Sequence, residues 1–361
     1  MLEVDVLVVG AGPAGATAAL NLAPMRRTAL MDASAAPHER IGESLAPAAR
    51  RLLTDMRLFD EFLREGHALC YGNRAVWGSA QPVETSFLSD PDGHGWHLDR
   101  ARFETWLRAV AVRRGATLLI PSRLESVQRE SGRWKVTVST AGVPSEVSAR
   151  FLIDAGGRAA PAARRLGSSR RDEDRLVCIW AYGCGSVIGR GAGFTFVEAV
   201  EDGWWYTAPL PGGRRVLAFH TDADLPAARA VRDVAALLGR ASETTELRAI
   251  QADCGFRASG GLGVCAAHGS VLDPCAGEAW LAAGDAAICF DPLSAQGLLN
   301  ALFTGLAAAE AADRYLSGVF GVAAGYMETV CQIHRAYRDR LEFCYRGETR
   351  WMSAPFWQRR A

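Results

Sequence analysis

The stretch VDVLVVGAGPAGATAALNLA, residues 4–23, indicates the fold of this chain. Residues 4–9 are almost continuously apolar, which is typical of a buried parallel strand. A glycine-rich turn follows at once, and the alanines and leucines after it predict a helix over residues 14–22. The next segment, RTALMD, predicts a second strand that ends at Asp32. The order strand, glycine-rich turn, helix and strand predicts a nucleotide-binding α/β unit.

The spacing of the glycines in this turn is typical of proteins that bind a dinucleotide. Gly10 permits a tight turn, Gly12 lets a pyrophosphate approach the backbone, and Gly15 lets the helix pack closely on the strand. Asp32 lies 20 residues beyond Gly12, where a carboxylate can accept hydrogen bonds from a ribose diol. The turn therefore predicts a dinucleotide at the start of the first helix, with Ala14 beside it.

Length and composition exclude several classes of partner. The chain has 361 residues, enough for two interleaved domains, and its 40 basic and 40 acidic residues give a formal net charge of zero. Neither a nucleic acid nor a membrane is therefore an expected partner, and neither a signal peptide nor a transmembrane helix is expected. The nine cysteines and seven histidines show no metal-ligand spacing, which predicts buried thiols in a reducing cytoplasm and no metal site.

A second glycine-rich turn lies in WLAAGDAAICFDPLSAQGLLNAL, residues 280–302. A short apolar strand there leads into Gly284 and Asp285, and Gly284 lets the backbone approach a bulky group. Pro292 fits the first turn of a helix that continues through leucines and alanines. The N-terminus of that helix would direct unpaired N–H groups and partial positive charge at an anionic ligand.

Two further stretches are predicted to lie near these turns. ERIGESLAP, residues 39–47, is predicted to be a loop carrying Glu43 and Ser44, ahead of a helical run over residues 46–62. Glu43 could serve at the bound nucleotide or cap the helix that follows. Farther along, a strand, a helix that begins near Arg100 and another strand are predicted.

The middle of the chain predicts a separate sheet. A small β-meander precedes a strand that ends at Asp154, and a Gly-Gly turn follows it. From residue 176 to about residue 264, segments such as GFTFVEAV, GWWYTAPL and RRVLAFHTD predict antiparallel strands, with one helix over residues 225–241. This region is predicted to be a sheet domain inserted into the nucleotide-binding fold.

Together these motifs resemble those of the flavoprotein monooxygenase superfamily, with the para-hydroxybenzoate hydroxylase type of fold. Arg40-Ile41-Gly42-Glu43-Ser44 and DPLSAQG are similar to the branch that contains the flavin-dependent halogenases. The resemblance implies an α/β fold with a Rossmann-like FAD-binding domain of the glutathione reductase type, an inserted antiparallel β-sheet substrate domain and C-terminal helices. The implied ranges are 1–70, 97–170 and 272–312 for the FAD-binding domain, 71–96 and 171–271 for the substrate-side sheet, and 313–361 for the C-terminal helical segment.

The resemblance also implies which residues contact FAD. Those implied for the ADP half are Gly10, Gly12, Ala14, Gly15 and Asp32, with Arg100 against the adenosine and phosphate region. The residues implied to let the backbone approach FAD, or to bind its pyrophosphate or ribityl chain, are Asp154, Gly284 and Asp285. Those implied for the isoalloxazine ring are Gly42, Ser44, Pro292, Gln296 and Gly297.

Two features distinguish this chain from the halogenases it resembles. In halogenases a lysine near the substrate receives hypohalous acid, yet the only lysine here, Lys135, lies in a predicted hairpin strand. The halogenase segment Trp-x-Trp-x-Ile-Pro appears as Trp204-Trp205-Tyr206-Thr207-Ala208-Pro209, so that its second Trp and its Ile are replaced. Both features disfavour halogenation.

The resemblance therefore implies a monooxygenase that uses dioxygen, through a flavin C4a-hydroperoxide, to hydroxylate an electron-rich aromatic ring. The expected substrate is a tryptophan indole within a partner polypeptide, as in the flavoproteins that mature tryptophylquinone cofactors. Hydroxylation of a small aromatic molecule, a halogenase-like reaction of natural-product biosynthesis, and a flavin-binding structural protein without turnover stay open. Reducing equivalents would come from NAD(P)H or from a partner flavin reductase.

Several side chains are candidates for the reaction, and the catalytic residue is left open. Isoalloxazine-side candidates are Glu43, Ser44 and Gln296. Substrate-side candidates are Trp204, Trp205, Tyr206 and Pro209, with Trp77 and Trp96 also available, and core packing is the alternative for each aromatic residue. Candidates for a base are His67, His94, His97 and His220. Arginines of the tail, Arg346, Arg350, Arg359 and Arg360, could dock a polypeptide or simply be solvated.

Overall fold

The computed structural model describes residues 1–186 and 192–360, so residues 187–191 of the predicted sheet domain and residue 361 of the predicted tail lie outside the described residues. The strands are β1 Leu2–Val9, β2 Thr28–Met31, β3 Ser44–Leu45, β4 Ala68–Cys70, β5 Gly72–Val76, β6 Val83–Ser86, β7 Gly95–His97, β8 Thr117–Leu119, β9 Ser122–Glu130, β10 Arg133–Thr140, β11 Val143–Asp154, β12 Ser169–Asp172, β13 Leu176–Cys184, β14 Phe194–Val200, β15 Gly203–Leu210, β16 Arg214–Asp222, β17 Arg257–Ala266, β18 Ser270–Asp273, β19 Ala276–Gly277, β20 Trp280–Ala282 and β21 Ile288–Cys289. The α-helices are α1 Pro13–Leu22, α2 Ala49–Asp55, α3 Phe59–Arg64, α4 Arg100–Arg113, α5 Pro161–Arg165, α6 Pro226–Ala230, α7 Val234–Ala241, α8 Glu246–Cys254, α9 Gly297–Leu316, α10 Val322–Arg346 and α11 Pro355–Gln358.

The first sheet brings the two predicted glycine-rich turns together. Its strand order is β19-β20-β11-β1-β2-β8, and β1 runs parallel to both β2 and β11, while β11 runs parallel to β20. Val9 at the end of β1 pairs with Asp154 at the end of β11, and Asp154 pairs in turn with Ala282 of β20. Because the carboxyl ends of these parallel strands meet at one edge, the turns that follow them lie side by side there.

The second sheet has the order β17-β13-β16-β15-β14-β5-β6, and all of its pairs are antiparallel except β14 with β5. Helices α7 and α8 pack on one of its faces, where Trp205 lies among apolar side chains. Trp204 and Tyr206 alternate with Trp205 along β15, and so point to the opposite face. That opposite face packs against the core that surrounds the first sheet.

The C-terminal helices join the two sheets. Gly305 of α9 lies so close to α1 that a Cβ there would sit 2.3 Å from the Ala14 carbonyl oxygen. The indole of Trp77, just beyond β5, donates to the Cys344 carbonyl of α10 at 2.7 Å, and the indole of Trp357 donates to Val200 of β14 at 3.0 Å. The end of the chain therefore packs on the second sheet and is part of the same core.

Three predicted helices differ from the observed ones, each for a local reason. The run predicted over residues 46–62 is broken at Arg57, whose φ is 57°, and gives α2 and α3. The helix predicted over residues 225–241 is divided because the Asp233 carboxylate accepts the Ala236 N–H at 2.8 Å and starts α7 anew. The helix predicted from Pro292 is only a 3₁₀ turn over Pro292–Ser294, and α9 begins at Gly297.

The prediction that the cysteines are buried is wrong for part of the set. Cys184 and Cys331 are exposed, Cys265 and Cys344 are half-buried, and all nine cysteines are free thiols. Within residues 1–186 and 192–360, no helix combines the length and apolar character needed to cross a bilayer.

Candidate active site

The first glycine-rich turn is held by backbone contacts that only glycine permits. Gly10 has a φ of +99°, and a Cβ there would lie 2.2 Å from the carbonyl oxygen of Ala155, in the turn after β11. A Cβ on Gly15 would lie 1.8 Å from the Gly10 carbonyl oxygen. These two glycines therefore close the packing between β1, α1 and the neighbouring turn.

Gly12 differs because the space beside it is open. A Cβ there would meet only the Arg40 guanidinium, at 3.9 Å. Gly12 is the N-cap of α1, and no described side chain caps this helix, so its first N–H groups point into that open space. A helix N-terminus with an open approach and a nearby guanidinium fits the pyrophosphate of a dinucleotide.

Asp32 lies beside this space and is already oriented by its neighbours. Its carboxylate accepts the Ala11 N–H at 2.8 Å and the Ser34 N–H at 2.8 Å, and it pairs with the Arg108 guanidinium at 3.1 Å. About a fifth of the Asp32 side chain (18%) stays exposed, which leaves lone pairs for a ribose diol. The structure therefore places Asp32 beside the first glycine-rich turn and adds Arg108, which the sequence analysis did not single out.

Arg108 belongs to a charged stripe along α4 with Arg100 and Glu104. The Arg100 guanidinium donates to the Gly42 carbonyl at 2.6 Å and to the Glu104 carboxylate at 2.7 Å. The fully buried Glu104 side chain also pairs with Arg40. Arg100 thus holds the loop that carries Gly42. The three charged residues lie four positions apart in the sequence, and this spacing could have predicted that they share one face of the helix.

The second glycine-rich turn packs directly on the first. Gly284 has a φ of +61°, and a Cβ there would lie 2.7 Å from the Cβ of Ala14. The Asp285 side chain is exposed beside it, while its backbone carbonyl accepts a hydrogen bond from Arg170 at 2.9 Å. Residues from both ends of the chain therefore meet at one edge of the sheet, as a ligand as long as FAD requires.

Asp154 differs from its predicted role as a cofactor contact. Its carboxylate is fully buried and accepts the N–H groups of Gly156, Ala162 and Ala163 at 2.7–2.9 Å. Burial raises the pKa of this carboxyl, and the three N–H groups oppose that shift. Asp154 therefore shapes the turn after β11 and caps α5, and its oxygens do not face the open space.

The segment before α9 also presents an open helix N-terminus, five residues later than predicted. A Cβ on Gly297 would meet nothing within 4 Å, and no described side chain caps α9. Pro292 is exposed and Gln296 is half-buried at the start of this helix. The electrostatic contribution predicted for the Pro292 helix thus belongs to the N–H groups near Gly297.

A buried hydrogen-bond chain ties this segment to the second sheet. The indole N–H of Trp204 donates to the Tyr345 hydroxyl at 3.2 Å, and that hydroxyl donates to Asp291 at 2.7 Å. Asp291 also accepts the Leu293 N–H at 2.8 Å. Burial raises the pKa of Asp291 to about 6, although the hydrogen bonds from Leu293 and Tyr345 and the charge of Arg360 favour its ionised form.

Three aromatic rings of the second sheet lie beside the loop that carries Ile41, Glu43 and Ser44, and we call them the aromatic face: Trp180, Tyr182 and Tyr206. The rings of Trp180 and Tyr182 lie 4.8 Å apart between centroids, and the Tyr206 hydroxyl lies 3.1 Å from the Ser44 hydroxyl. Tyr206 and Ser44 were both predicted as site residues and are brought together. Trp180 and Tyr182 were missed, although their alternation in LVCIWAYGC was a visible signal.

The other substrate-side candidates lie in the core. Trp204 is 1% exposed and stacks on His220 with the ring centroids 3.7 Å apart, and Trp205 packs on Phe219 behind the sheet. Pro209 is buried, Trp96 is 1% exposed, and Trp77 packs on Trp357. Core packing, the alternative left open for these residues, is therefore what the structure shows.

Glu43 is the buried carboxyl group beside the aromatic face. It is 1% exposed, lies 2.5 Å from the Tyr182 hydroxyl and accepts the Gly42 N–H at 3.0 Å. Burial raises its pKa, while those two hydrogen bonds oppose the shift. A cavity of about 110 Å³ is lined by Glu43, Tyr182, Arg40, Arg100 and Arg214, among others.

The histidine candidates are mostly buried and neutral. Burial lowers the pKa of His67 to about 4, and those of His97 and His220 to about 3. His94 is half-buried, with its ring packed against Trp96. Charged histidines at neutral pH are therefore not available at three of the four positions.

The tail arginines are paired rather than free to dock a polypeptide. Arg359 pairs with Asp222 and Asp224, and Arg360 pairs with Asp222. Arg346 and Arg350 pair with neighbouring glutamates. No group of three or more His, Cys, Asp or Glu residues that could hold a metal ion occurs in the described parts of the chain.

The residues present fit FAD on structural grounds. Two open helix N-termini, the partly exposed Asp32 and the exposed Asp285 lie around one edge of the first sheet, and glycines leave room for a ligand at Gly12 and Gly297. Negative phosphates suit the helix N-termini, and a ribose diol suits the carboxylates.

Comparison with known proteins agrees with this geometry. Residues 3–234 match the family model described as FAD binding domain. LodB of Marinomonas mediterranea, named as an FAD-dependent oxidoreductase, is 28% identical over 374 aligned positions that cover 100% of this chain and 97% of LodB.

Two solved structures are similar over almost the whole chain. The myxobacterial chondrochloren halogenase CndH is 25% identical with a TM-score of 0.87, covering 100% of this chain and 86% of CndH. The peptidyl tryptophan dihydroxylase QhpG is 23% identical with a TM-score of 0.77, covering 99% and 78% of the two chains. The chain belongs to the FAD binding domain family, and it is an FAD-dependent enzyme of the flavoprotein monooxygenase superfamily.

Proposed function

We propose that this protein inserts oxygen into the indole ring of a tryptophan residue within a partner polypeptide. The observation that carries the proposal is the aromatic face of Trp180, Tyr182 and Tyr206, which lies beside the buried carboxyl of Glu43. An electron-rich ring packs favourably on aromatic side chains, and a carboxyl group beside it can take up a proton.

The family supports oxygen insertion, and the position of the lysine favours it over halogenation. Lys135 is the only lysine of the chain, and it lies on β10, where it pairs with Ser148 of β11, six positions before the end of that strand at Asp154. Its ammonium group pairs with Glu146 at 3.2 Å, and its side chain is 42% exposed. A halogenase of the kind described above needs a lysine beside its substrate, so this pairing favours hydroxylation.

The chain's own residues have separate parts in this proposal. Bound FAD, once reduced, supplies the oxygen-activating chemistry. The aromatic face would orient the substrate ring, and the Tyr206 and Ser44 hydroxyls, 3.1 Å apart, join that face to the loop whose Gly42 and Ser44 would border the flavin. When oxygen replaces a ring hydrogen, Glu43 takes the released proton, with Tyr182 holding the carboxyl in place at 2.5 Å.

The proposal of a polypeptide substrate is supported by similarity to other proteins as well as by the geometry of the site. QhpG, which shares the fold, is named a peptidyl tryptophan dihydroxylase, and LodB is similar over the full length of the chain. We also infer that the reducing equivalents come from NAD(P)H or from a partner flavin reductase. A small aromatic molecule is the second candidate substrate, because the halogenase CndH shares the fold more closely than QhpG does, with a TM-score of 0.87 against 0.77.

The test supplies both substrate classes to the same protein. FAD-loaded protein is reduced with NADPH, with a flavin reductase or chemically, and is then given labelled dioxygen. Free tryptophan and the unmodified precursor of a tryptophylquinone enzyme are offered in parallel, and the product masses are measured. Labelled oxygen on the polypeptide alone supports the proposal, and label on free tryptophan alone favours the small-molecule alternative. A dehydrogenated product without oxygen would contradict both.

A further inference from the structure

Two cysteines face each other across neighbouring strands next to the candidate active site. Cys178 of β13 is paired directly with Cys265 of β17, within an unbroken stretch of register from Val177 to Trp180. Directly opposed residues of antiparallel strands have Cα atoms about 4.5–5.5 Å apart, and disulfides span about 4.4–6.8 Å. The backbone therefore needs no rearrangement to join these two sulfurs.

The two thiols differ in exposure. Both are free thiols, and they belong to directly paired residues of neighbouring strands. Cys178 is 1% exposed, whereas Cys265 is half-buried. A small oxidant can therefore reach the Cys265 sulfur first, and the Cys178 sulfur lies next to it.

The surroundings of Cys265 favour its reactive form. Cys178 and Trp180 neighbour it on β13, and the positive charge of the Arg158 guanidinium acts on it. These groups lower the pKa of the Cys265 thiol, and burial and the Glu43 carboxyl oppose the shift. Burial raises the pKa of Cys178, so that its thiol keeps the proton.

The pair belongs to the same face of the sheet as the proposed substrate contacts. Cys178, Trp180 and Tyr182 alternate along β13 and so share one face. Glu43 is near enough to influence the titration of both cysteines. Hydrogen peroxide forms when reduced flavin reacts with dioxygen without transferring oxygen to a substrate, so an uncoupled turnover would supply the oxidant for this pair.

We propose that Cys178 and Cys265 are an oxidation site that hydrogen peroxide converts into a reversible cross-strand disulfide. The Cys265 thiolate attacks peroxide, the O–O bond breaks, and Cys265 becomes a sulfenic acid while hydroxide takes up the thiol proton and leaves as water. The Cys178 sulfur then attacks the sulfenic sulfur, the S–S bond forms, and a second water leaves. The two thiols thus give up two protons and two electrons, and one peroxide becomes two waters.

The experiment treats the purified FAD-loaded protein with hydrogen peroxide, alkylates the remaining thiols under denaturing conditions and maps the peptides by mass. The expected product is one peptide pair joined through Cys178 and Cys265, two hydrogens lighter than the separate peptides and released by dithiothreitol. Because peroxide is added directly, this result does not depend on which substrate the enzyme hydroxylates. Retention of both thiols while the exposed Cys184 and Cys331 are oxidised would overturn the proposal.

Two variants separate the roles of the two sulfurs. In Cys178→Ser, Cys265 should stop at the sulfenic acid, which dimedone traps, and no cross-link should form. The matched control Cys331→Ser removes an exposed thiol of α10 and should form the cross-link as the unsubstituted protein does. Equal dimedone labelling of Cys265 before and after Cys178→Ser would contradict the resolving role of Cys178. FAD absorbance measured in each variant reports whether it has folded.

Discussion

Replacing Gly305 by alanine should separate the two helices that hold the FAD site together. A Cβ at this position of α9 would lie 2.3 Å from the Ala14 carbonyl oxygen and 3.1 Å from the Ala14 carbonyl carbon. These atoms belong to the backbone of α1 and cannot rotate away, so α9 has to move back by roughly 1 Å to restore an ordinary contact of about 3.5 Å. Overpacking of this kind costs about 1–3 kcal/mol.

The displacement should weaken FAD binding as well as folding, because the glycine-rich turn lies at the start of α1 and Gly297 begins α9. If the same free energy is lost from binding, the dissociation constant of FAD should rise between about fivefold and about 150-fold. The assay is titration of the apoprotein with FAD, followed by fluorescence, together with urea unfolding of the apoprotein.

The control for this substitution is Gly325→Ala in α10, where a Cβ would meet nothing within 4 Å. There, alanine should leave FAD binding unchanged and raise the free energy of unfolding by up to about 1 kcal/mol, because alanine favours a helix. If Gly305→Ala bound FAD as tightly and unfolded at the same urea concentration as the unsubstituted protein, close contact between α1 and α9 would not be what positions the site.

Three further substitutions or assays test other parts of the site. Gly12→Val should abolish FAD binding while leaving the unfolding of the apoprotein nearly unchanged, because the side chain would enter space that is open except for Arg40; full FAD occupancy in this variant would refute the assignment. Asp291→Asn should reduce the pH dependence of stability. The pKa of Asp291 is about 6 in the folded protein and 3.8 in the unfolded chain, so the protonated carboxyl favours the folded state by about 3 kcal/mol. This contribution to the free energy of unfolding is fully present below pH 3.8 and is lost as the pH rises through about 6. The free energy of unfolding of the variant, measured in urea, should therefore rise relative to the unsubstituted protein between pH 4 and pH 7, and a constant difference would show that Asp291 titrates normally. The reduced protein should form no halogenated product from chloride or bromide and free indole, and stoichiometric chlorination or bromination would overturn the reasoning from Lys135.

The parts of the fold that sequence predicted correctly are those that local pattern determines. The apolar run before Gly10 forms β1, and the alternating segments of the middle region form antiparallel strands. The meeting of the Gly10 and Gly284 turns was implied by the resemblance, and the parallel register of β1, β11 and β20 explains it. Helix boundaries were less predictable because single side chains, such as the Asp233 cap, decide them.

The candidate site was predicted only in part, because pairing across the chain cannot be derived from local spacing. The buried Glu104 pairs with Arg40, which lies 64 positions away in the sequence. The Tyr182 hydroxyl donates a hydrogen bond to Glu43, which lies 139 positions away. Trp205 is an aromatic residue of the type that could contact a substrate, but its side chain packs on the other face of its sheet. Alternation along β15 predicts which residues share a face, but it does not predict what each face packs against. Asp154 likewise follows a strand as a ligand would, yet its oxygens are used by backbone N–H groups.

Oxygen transfer to a tryptophan side chain is tested most directly in a single mixture that also offers the competing reaction. Reduced, FAD-loaded protein is mixed with labelled dioxygen, chloride and a tryptophan-containing polypeptide, and the mass of the modified peptide is measured. We expect every inserted oxygen atom to carry the label and no chlorine to be incorporated. Unlabelled oxygen, chlorine on the ring, or loss of hydrogen without gain of oxygen would contradict a hydroxylase that acts on tryptophan.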